Sequence, residues 1–341
     1  MPESAARAAR PRGTQRARHP IRAGARLAPA LQLRWFGAHA AARGVAYDVP
    51  TAFALEHPSV AATRAVGDSA AAPRPGGGKL AVALVDGASA VVGCAAASPL
   101  HLFTPRARGP AAWAIAATLG GGLVAGDALD LEIDVGGGAT ALVGTQAHAK
   151  VFRSPGPWAS QTLSARVAPG ATLALLPEPA SLFAGARYRQ AQRFALAPGA
   201  SLLLVDALTH GRAARGEAWA LEAYVSRNEL EIGGRVVLAD ALRLVAGEGP
   251  PVAARLAGTA LLATAVLAGP AVAGAAAELR DELARAPAGW TDGVLAAASP
   301  IDGGVLLRLA STTVEAGLRF LRRRLAFAAE LLGGDPLARR P

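Results

Sequence analysis

The sequence predicts a mainly all-β protein, built as a stacked, two-layer, β-helix-like hairpin repeat with two C-terminal helices. Three observations support this prediction: strands with period-two alternation, a turn motif that recurs about every thirty residues, and a change to helical periodicity near the C-terminus. The 341 residues suffice for one or two sizeable cores. Because only 5% of the residues are aromatic, the core must consist mainly of Leu, Val and Ala.

Residues 1–75 form a basic leader without sustained periodicity, and the β domain is predicted over residues 76–335. The leader holds eleven arginines and four acidic residues, so it carries most of the net charge of +10. The remaining chain has no strongly basic face and no aromatic stacking motif, which argues against nucleic acid as a partner. The leader is expected to be disordered, and an organelle transit peptide or upstream sequence from a misplaced start codon remain alternatives.

The glycines of "TLGGGLVAGD" (residues 118–127) raise the question of a phosphate-binding turn. Such a turn needs a helix directly after the glycines. Instead, residues 129–135 alternate apolar and acidic side chains, which predicts a half-buried strand. These glycines are therefore predicted to permit tight turns between strands.

A repeat lies in the strands that follow. The segments "VGGGATALV", "VAPGATLALL" and "LAPGASLLLV" each join two apolar strands through a turn of two to three residues that closes on Gly-Ala. The turn glycines Gly138, Gly170 and Gly199 are 32 and 29 residues apart, and looser copies occur at Gly87 and Gly234. A period of this length predicts stacked strand pairs around a shared core.

The uncharged stretch from Leu256 to Ala277 is long enough to cross a bilayer, but glycines and Pro270 interrupt it. It is predicted to be a buried strand that turns at Gly269-Pro270 into the first C-terminal helix.

The second C-terminal helix is predicted to start at a capping box formed by Thr312 and Glu315 and to end at Gly333-Gly334. Its apolar stripe runs from residue 314 to 332, and four arginines make the opposite surface basic. That surface is a solvated face, a partner-binding surface or a membrane-surface contact, and the pattern leaves the three open.

Catalytic machinery is not apparent in the sequence. There is no G-x-S-x-G motif, and the only cysteine, Cys94, lies among small apolar residues. The segment "HGRAARGE" offers His210 and Glu217 without an obvious nucleophile. The protein is therefore predicted not to be an enzyme, and no tightly bound cofactor is expected.

Isolated acidic residues at strand ends or within strands are the remaining candidates for function. Asp127 follows the glycine turn, Glu178 lies in "LLPEPASLF", and Asp206 and Asp240 each interrupt an apolar strand. A carboxylate in such a strand is costly to bury unless it is paired, hydrogen-bonded or in contact with internal water. The candidates are structural hydrogen-bonding groups or the polar lining of an internal passage.

Several motifs occur together in the order and spacing of a known family. These are "SPLHLFTPRA", "GGGLVAGD", "TQAHAKVFRS", the "LLPEP…LF.GAR" run, "LAPGASLLLVDALTHGRAARGE" and "EAGLRFLRRRLAF". The set resembles the UreD family of urease accessory proteins, also called UreH, over roughly residues 78–332. The leader lies outside the resemblance.

The resemblance implies a cytoplasmic nickel metallochaperone subunit without enzymatic activity. Family members bind UreF- and UreG-like accessory proteins, dock on apo-urease, and are thought to pass nickel transiently through an internal tunnel. By motif position, Asp127, Asp206 and Asp240 are expected to line that path, with Glu178 as a further candidate. We expect Asp206 and Asp240 to line the path rather than hold the fold, so that alanine substitution changes stability little.

His148 departs from the family pattern, in which a small residue is expected. This histidine adds a nickel ligand, narrows the passage or points outward, and the sequence does not distinguish these roles. The alternative function is a β-solenoid that binds a ligand or assembles at a surface without a metal role. Such a solenoid would expose ladders of aromatic residues, which are scarce here.

Overall fold

The computed structural model describes residues 72–106, 109–256, 258–286 and 289–338. Nearly all of the predicted leader lies outside these residues, although Arg74 is included and forms an ion pair with Asp130 at 2.6 Å.

Two sheets dominate the described chain. The seven-stranded sheet, here sheet A, contains β1 (Gly77–Val85), β2 (Ala88–Ala96), β5 (Ala128–Val135), β8 (Ala159–Val167), β11 (Arg187–Leu196), β13 (Ala223–Ile232) and β14 (Arg235–Val245). The ten-stranded sheet, here sheet B, contains β3 (Leu100–Phe103), β4 (Ala111–Thr118), β6 (Thr140–Thr145), β7 (Ala149–Val151), β9 (Thr172–Leu176), β10 (Ala180–Leu182), β12 (Ser201–Thr209), β15 (Leu261–Ala268), β16 (Val294–Ile301) and β17 (Gly304–Ser311).

The chain alternates between the two sheets as it advances. Strands β5, β8, β11 and β13 are parallel neighbours in sheet A, and β4, β6, β9 and β12 are parallel neighbours in sheet B. In sheet A, Leu131 aligns with Leu163, which aligns in turn with Gln192. One coil of the stack is thus about thirty residues long, the period of the turn motif. The predicted fold class, a mainly β, two-layer, β-helix-like stack, is confirmed.

The turn glycines occur in two different kinds of connection. Gly138, Gly170 and Gly199 have positive φ and lie in arches that connect a strand of sheet A to a strand of sheet B, so these three repeats are not hairpins. The looser copies at Gly87 and Gly234 are true antiparallel hairpins, between β1 and β2 and between β13 and β14. Both kinds of turn need a left-handed residue, which explains why they share a sequence pattern.

The main core lies between the two sheets and is formed by the inward-facing residues of each strand, largely Leu, Val and Ala. A second apolar cluster lies on the outer face of sheet B, where the C-terminal helices cover it. The loop with Gly120, Gly121 and Gly122, all at positive φ, leads directly into β5. No helix follows these glycines, so they form a bend between strands rather than a phosphate-binding turn.

The first C-terminal helix follows the prediction. Strand β15 ends at Ala268, Gly269 has φ +94°, and a 3₁₀ turn at Pro270–Val272 leads into the helix. The described helices are α1 (Val252–Arg255), α2 (Ala273–Arg285), α3 (Val314–Arg324) and α4 (Ala328–Leu332). None of them is long and apolar enough to cross a membrane.

The second predicted helix is interrupted. Its N-cap is Thr313 rather than the predicted Thr312. The Thr313 side chain accepts a hydrogen bond from the backbone N–H of Ala316 at 3.1 Å. After Arg324 the backbone forms a tight turn whose hydrogen bonds join residues three apart, and this turn separates α3 from α4. The C-cap of α4 is Gly333, in the left-handed conformation.

Candidate functional site

Two of the predicted acidic residues meet between the sheets. Asp206 lies on β12 of sheet B and Asp240 on β14 of sheet A, and both line one small cavity. Asp240 is 2% exposed. Asp206 is half-buried and contributes to the wall of the same cavity.

Asp206 is held by amide groups from the opposite sheet. Gln190 Nε2 and Asn228 Nδ2 both donate to Asp206 Oδ2, at 3.0 and 3.2 Å. The Tyr188 hydroxyl donates to Gln190 Oε1 at 3.2 Å and so extends the network. Burial raises the pKa of the Asp206 carboxyl above its usual value, against the two amide hydrogen bonds that lower it, and the nearby Asp240 raises it further. Asp206 therefore holds its proton to a higher pH than an exposed aspartate does.

Asp240 is held by a guanidinium group from the opposite sheet. Arg308, on β17, donates from Nη2 to Asp240 Oδ1 at 2.6 Å, and the two side chains are 15% and 3% exposed. In sheet B, Asp206 aligns with Thr264, which aligns with Arg308. In sheet A, Asn228 aligns with Asp240. The two acids thus belong to one polar cluster in an otherwise apolar core.

The cavity in this cluster has a volume of about 20 Å³, enough for about one water molecule or one metal ion. Besides the two acids, Ser226, Asn228 and Thr264 contribute polar groups to its wall. Asn228 is 2% exposed, and its Oδ1 accepts no hydrogen bond from any described residue. The wall therefore offers carboxylate, amide and hydroxyl oxygens to whatever occupies the space.

His148 and Glu178 form a second pair. His148 Nε2 lies 3.3 Å from Glu178 Oε2, with the side chains 36% and 13% exposed. The backbone N–H of Glu178 donates to Thr145 Oγ1 at 2.7 Å, which fixes the loop between β9 and β10. The departure from the family pattern at His148 thus brings an imidazole against a predicted path residue.

The strand register places the loop that carries Glu178 along the strand that carries Asp206. Leu175 of β9 aligns with Leu204 of β12, and Ala180 of β10 aligns with Leu208. Residues 176–179, the loop between β9 and β10, therefore run alongside residues 205–207 of β12, although no described contact joins Glu178 to Asp206. Strand β7, which follows His148, is in turn the neighbour of β10. The four predicted residues thus form two groups, His148 with Glu178 and Asp206 with Asp240, and the β9–β10 loop lies beside the strand that carries Asp206.

Asp127 is not joined to this region by any described contact. Its Oδ2 accepts a hydrogen bond from the backbone N–H of Val124 at 2.8 Å, and its carbonyl accepts one from Ser160. This is the side-chain-to-backbone pattern of a tight turn before a strand. The turn geometry explains an acid after Gly126 without any ligand.

His210 and Glu217, the two residues of "HGRAARGE" considered for catalysis, make separate contacts in the structure. Glu217 accepts hydrogen bonds from Arg212 Nη2 and Nε at 2.8 and 2.9 Å and from the backbone of Ala184. The imidazole ring of His210 packs edge-on against Trp219. In the described chain, Glu217 therefore acts as a structural acceptor that holds its own loop.

Three residues of the cluster were missed in the sequence. Arg308 interrupts the apolar strand "GVLLRLAS" just as Asp206 and Asp240 interrupt theirs, so the same signal would have found it. Gln190 and Asn228 occupy inward positions of alternating strands whose polar residues look solvent-facing. No comparable local signal marks them.

Comparison with known proteins places the chain in a family. Residues 74–341 match the family model for the UreD urease accessory protein. A urease accessory protein UreD from Anaeromyxobacter sp. (strain Fw109-5) is 61% identical over 268 residues, covering 79% of this chain and 90% of that protein. The UreD protein of Sorangium cellulosum is 46% identical over 270 residues (79% and 85%), and urease accessory protein D of Oryza sativa subsp. japonica is 32% identical over 298 residues (79% and 96%). The chain therefore belongs to the UreD family of urease accessory proteins.

Proposed function

We propose that this protein is a non-enzymatic subunit of the urease maturation machinery that conducts nickel toward the active site of apo-urease. The observation that carries the proposal is the acid-lined cavity inside the apolar core of a UreD-family solenoid. A core of Leu, Val and Ala has no structural need for two carboxylates, an arginine and two amides in one cluster.

The donor set suits an ion in transit. Ni²⁺ accepts imidazole and carboxylate ligands, both of which the cluster and the neighbouring His148–Glu178 pair supply. Among the described residues, no group of three or more His, Cys, Asp or Glu side chains is arranged to hold a metal. Sparse ligands bind weakly, and a passage requires sites that release the ion as readily as they accept it.

The exposure of the groups supports an order of sites along the proposed route. His148 is the most exposed of the four ligands, Glu178 is largely buried, and Asp206 and Asp240 line the internal cavity. We propose that nickel enters or leaves at His148 and Glu178 and passes Asp206 and Asp240 within the core. Asp127 is not needed on this route.

The partners follow from the proposed role. The glycine loop before β5 does not open a helix, so the described chain lacks a phosphate-binding turn there, and nucleotide hydrolysis would be supplied by a UreG-like partner. We propose that the protein acts in the cytoplasm with UreF- and UreG-like accessory proteins and docks on apo-urease.

The test is reconstitution of urease activation with the full chain, its accessory partners and apo-urease. Asp206→Asn removes the ionisable group while keeping an acceptor oxygen, and Asp134→Asn removes a surface carboxylate that pairs with Arg166 at 2.7 Å. We expect Asp206→Asn, but not Asp134→Asn, to lower the nickel incorporated per urease active site at unchanged complex formation. Equal nickel loading by both variants and the wild type would overturn the route through Asp206.

A further inference from the structure

Arg308 is a permanent positive charge placed in the wall of the core cluster. A guanidinium group does not lose its proton in proteins, so this charge cannot be switched off. Its side chain is only 15% exposed, and its Nη2 lies 2.6 Å from Asp240 Oδ1. A route for a divalent cation therefore passes beside a buried cation, which is an unexpected arrangement for a passage.

The space beside this ion pair is built from oxygen ligands. Asp206 and Asp240 line the cavity from opposite sheets, and the orphaned Oδ1 of Asn228, a residue that is 2% exposed, adds a neutral acceptor to the lining. An acceptor without a donor in a dry core is satisfied by a bound water or by a cation. The cavity thus holds several oxygen ligands among apolar side chains, and Arg308 reaches it through its ion pair with Asp240.

The charge balance of this site depends on Arg308. A buried carboxyl group is neutralised by a proton or compensated by a counter-cation, and Arg308 already supplies the counter-cation to Asp240. With Arg308 in place, an incoming divalent ion finds Asp240 neutralised and meets repulsion from the guanidinium group. Without Arg308, the same ion would find an uncompensated carboxylate and a neutral acceptor with no competing cation.

We propose that Arg308 is a resident counter-charge that prevents the Asp206–Asp240 cavity from retaining a divalent cation, so that the ion passes through the site rather than staying in it. This inference rests on the proposed function in nickel transfer and concerns a residue that acts through Asp240. It assigns Arg308 a positioning role for the carboxylate and an electrostatic role toward the ion.

The experiment measures Ni²⁺ binding by the isolated, tag-free full chain with nickel chloride as the probe. Arg308→Gln removes the charge but keeps an N–H donor for Asp240. We expect Arg308→Gln to bind Ni²⁺ about tenfold or more tightly than the wild type and to retain nickel through dialysis. The double variant Asp240→Asn/Arg308→Gln lacks both charges and is expected to bind no more tightly than the wild type.

A matched control makes the same change elsewhere. Arg166→Gln removes an exposed arginine from its ion pair with Asp134, outside the core, and is expected to leave Ni²⁺ affinity unchanged. Folded Arg308→Gln protein with wild-type affinity would overturn the inference. If Arg308→Gln is only marginally stable without metal, nickel must raise its melting temperature more than it raises that of the wild type, and the absence of such a rise would equally overturn the inference.

The binding and delivery outcomes are separable. The binding measurement needs no partner, whereas the proposed function is tested by urease activation in the assembled system. We expect Arg308→Gln to bind nickel more tightly and to deliver it less completely. A wild-type chain that delivers no nickel would refute the proposed function, whatever the affinity of Arg308→Gln.

Discussion

Replacement of Asp206 by alanine and by asparagine separates its hydrogen bonds from its charge. Both amide donors, Gln190 Nε2 and Asn228 Nδ2, converge on the single oxygen Oδ2. Alanine removes this acceptor and leaves two inward-facing N–H groups unsatisfied, each at a cost of about 1–3 kcal/mol. We expect Asp206→Ala to lower the free energy of unfolding by roughly 2–4 kcal/mol, because the small cavity lets water satisfy part of the loss.

Asparagine at position 206 preserves these contacts. Its side-chain oxygen can take the place of Oδ2 and accept both hydrogen bonds, and its NH₂ group then takes the place of Oδ1. The substitution also removes the ionisable group from a site where burial disfavours its charge. At neutral pH we therefore expect Asp206→Asn to be at least as stable as the wild type.

The pH dependence follows from the raised pKa of Asp206. The folded state keeps its proton to a higher pH than the unfolded chain, in which aspartate titrates near about 3.9. As the pH rises from that value toward the folded-state pKa, the folded state binds more protons than the unfolded state, so stability falls. Below the unfolded-state value, the group contributes no pH dependence. Asp206→Asn should lack this decline and should gain on the wild type as the pH increases.

Guanidinium denaturation of both variants and the wild type between about pH 4 and 8 measures these differences. If Asp206→Asn loses as much stability as Asp206→Ala at neutral pH, the ionised carboxylate itself is required, and the argument from a shared acceptor oxygen is wrong. If the wild type and Asp206→Asn show parallel pH profiles, Asp206 does not titrate as the burial argument requires.

Three further predictions concern the helices, the leader and the route. Gly317→Ala should destabilise the protein by roughly 1–3 kcal/mol, because a Cβ at this position of α3 would overlap Ser311 Oγ. Gly274→Ala in α2 should stabilise the protein by about 0.5 kcal/mol, because a Cβ there meets nothing within 4 Å. Thermal denaturation measures both effects. Deletion of residues 1–71, which keeps Arg74 and its ion pair, should leave the melting temperature and urease activation unchanged, and loss of either would contradict a dispensable leader. Glu178→Gln should lower nickel loading of urease, while Asp127→Asn should not, and the reverse order would refute a route that bypasses Asp127.

The sequence predicts the stacked architecture well because the repeat is visible in the turn residues. The left-handed glycines recur once per coil, and a period near thirty residues with alternating strands allows few other architectures. The strand partners are not visible in the same pattern. Gly138 lies in an arch between sheets and Gly87 in a hairpin within one sheet, yet both have positive φ and both are flanked by apolar strands. Local chemistry fixes the turn, and only the stacking of distant coils decides which strands pair.

The interrupted second helix shows the same limit. An apolar stripe from residue 314 to 332 predicts one helix, and the stripe is real, because Leu321, Leu325, Ala328 and Leu332 are all buried. A tight turn with hydrogen bonds between residues three apart keeps nearly the same face inward as an α-helix does. Periodicity alone therefore cannot distinguish a continuous helix from one that is broken by such a turn.

The candidate site was only half visible for a related reason. A charge within an apolar strand is a strong signal, and it identifies Asp206 and Asp240 correctly as groups that need polar partners. Those partners come from other coils: Gln190 and Asn228 lie on β11 and β13, and Arg308 is 68 residues from Asp240. The contacts also change one expectation. Both carboxylates hold the fold as well as line the cavity, so a small effect of alanine on stability is no longer the criterion for a role in the path.

The solenoid period explains how residues scattered along the sequence come to form one row. His148, Glu178 and Asp206 are 30 and 28 residues apart, close to the length of one coil, so successive coils bring them to the same level of sheet B. Gln190 and Asn228 also lie inward, where both donate to Asp206, while most other inward positions stay apolar. The polar groups are thus confined to a few inward positions that hydrogen-bond to one another, which a stack of Leu, Val and Ala strands can tolerate. The last coil differs, because Asp240 of sheet A faces Asp206 across the core and pairs with Arg308 of sheet B, which balances the charge of Asp240.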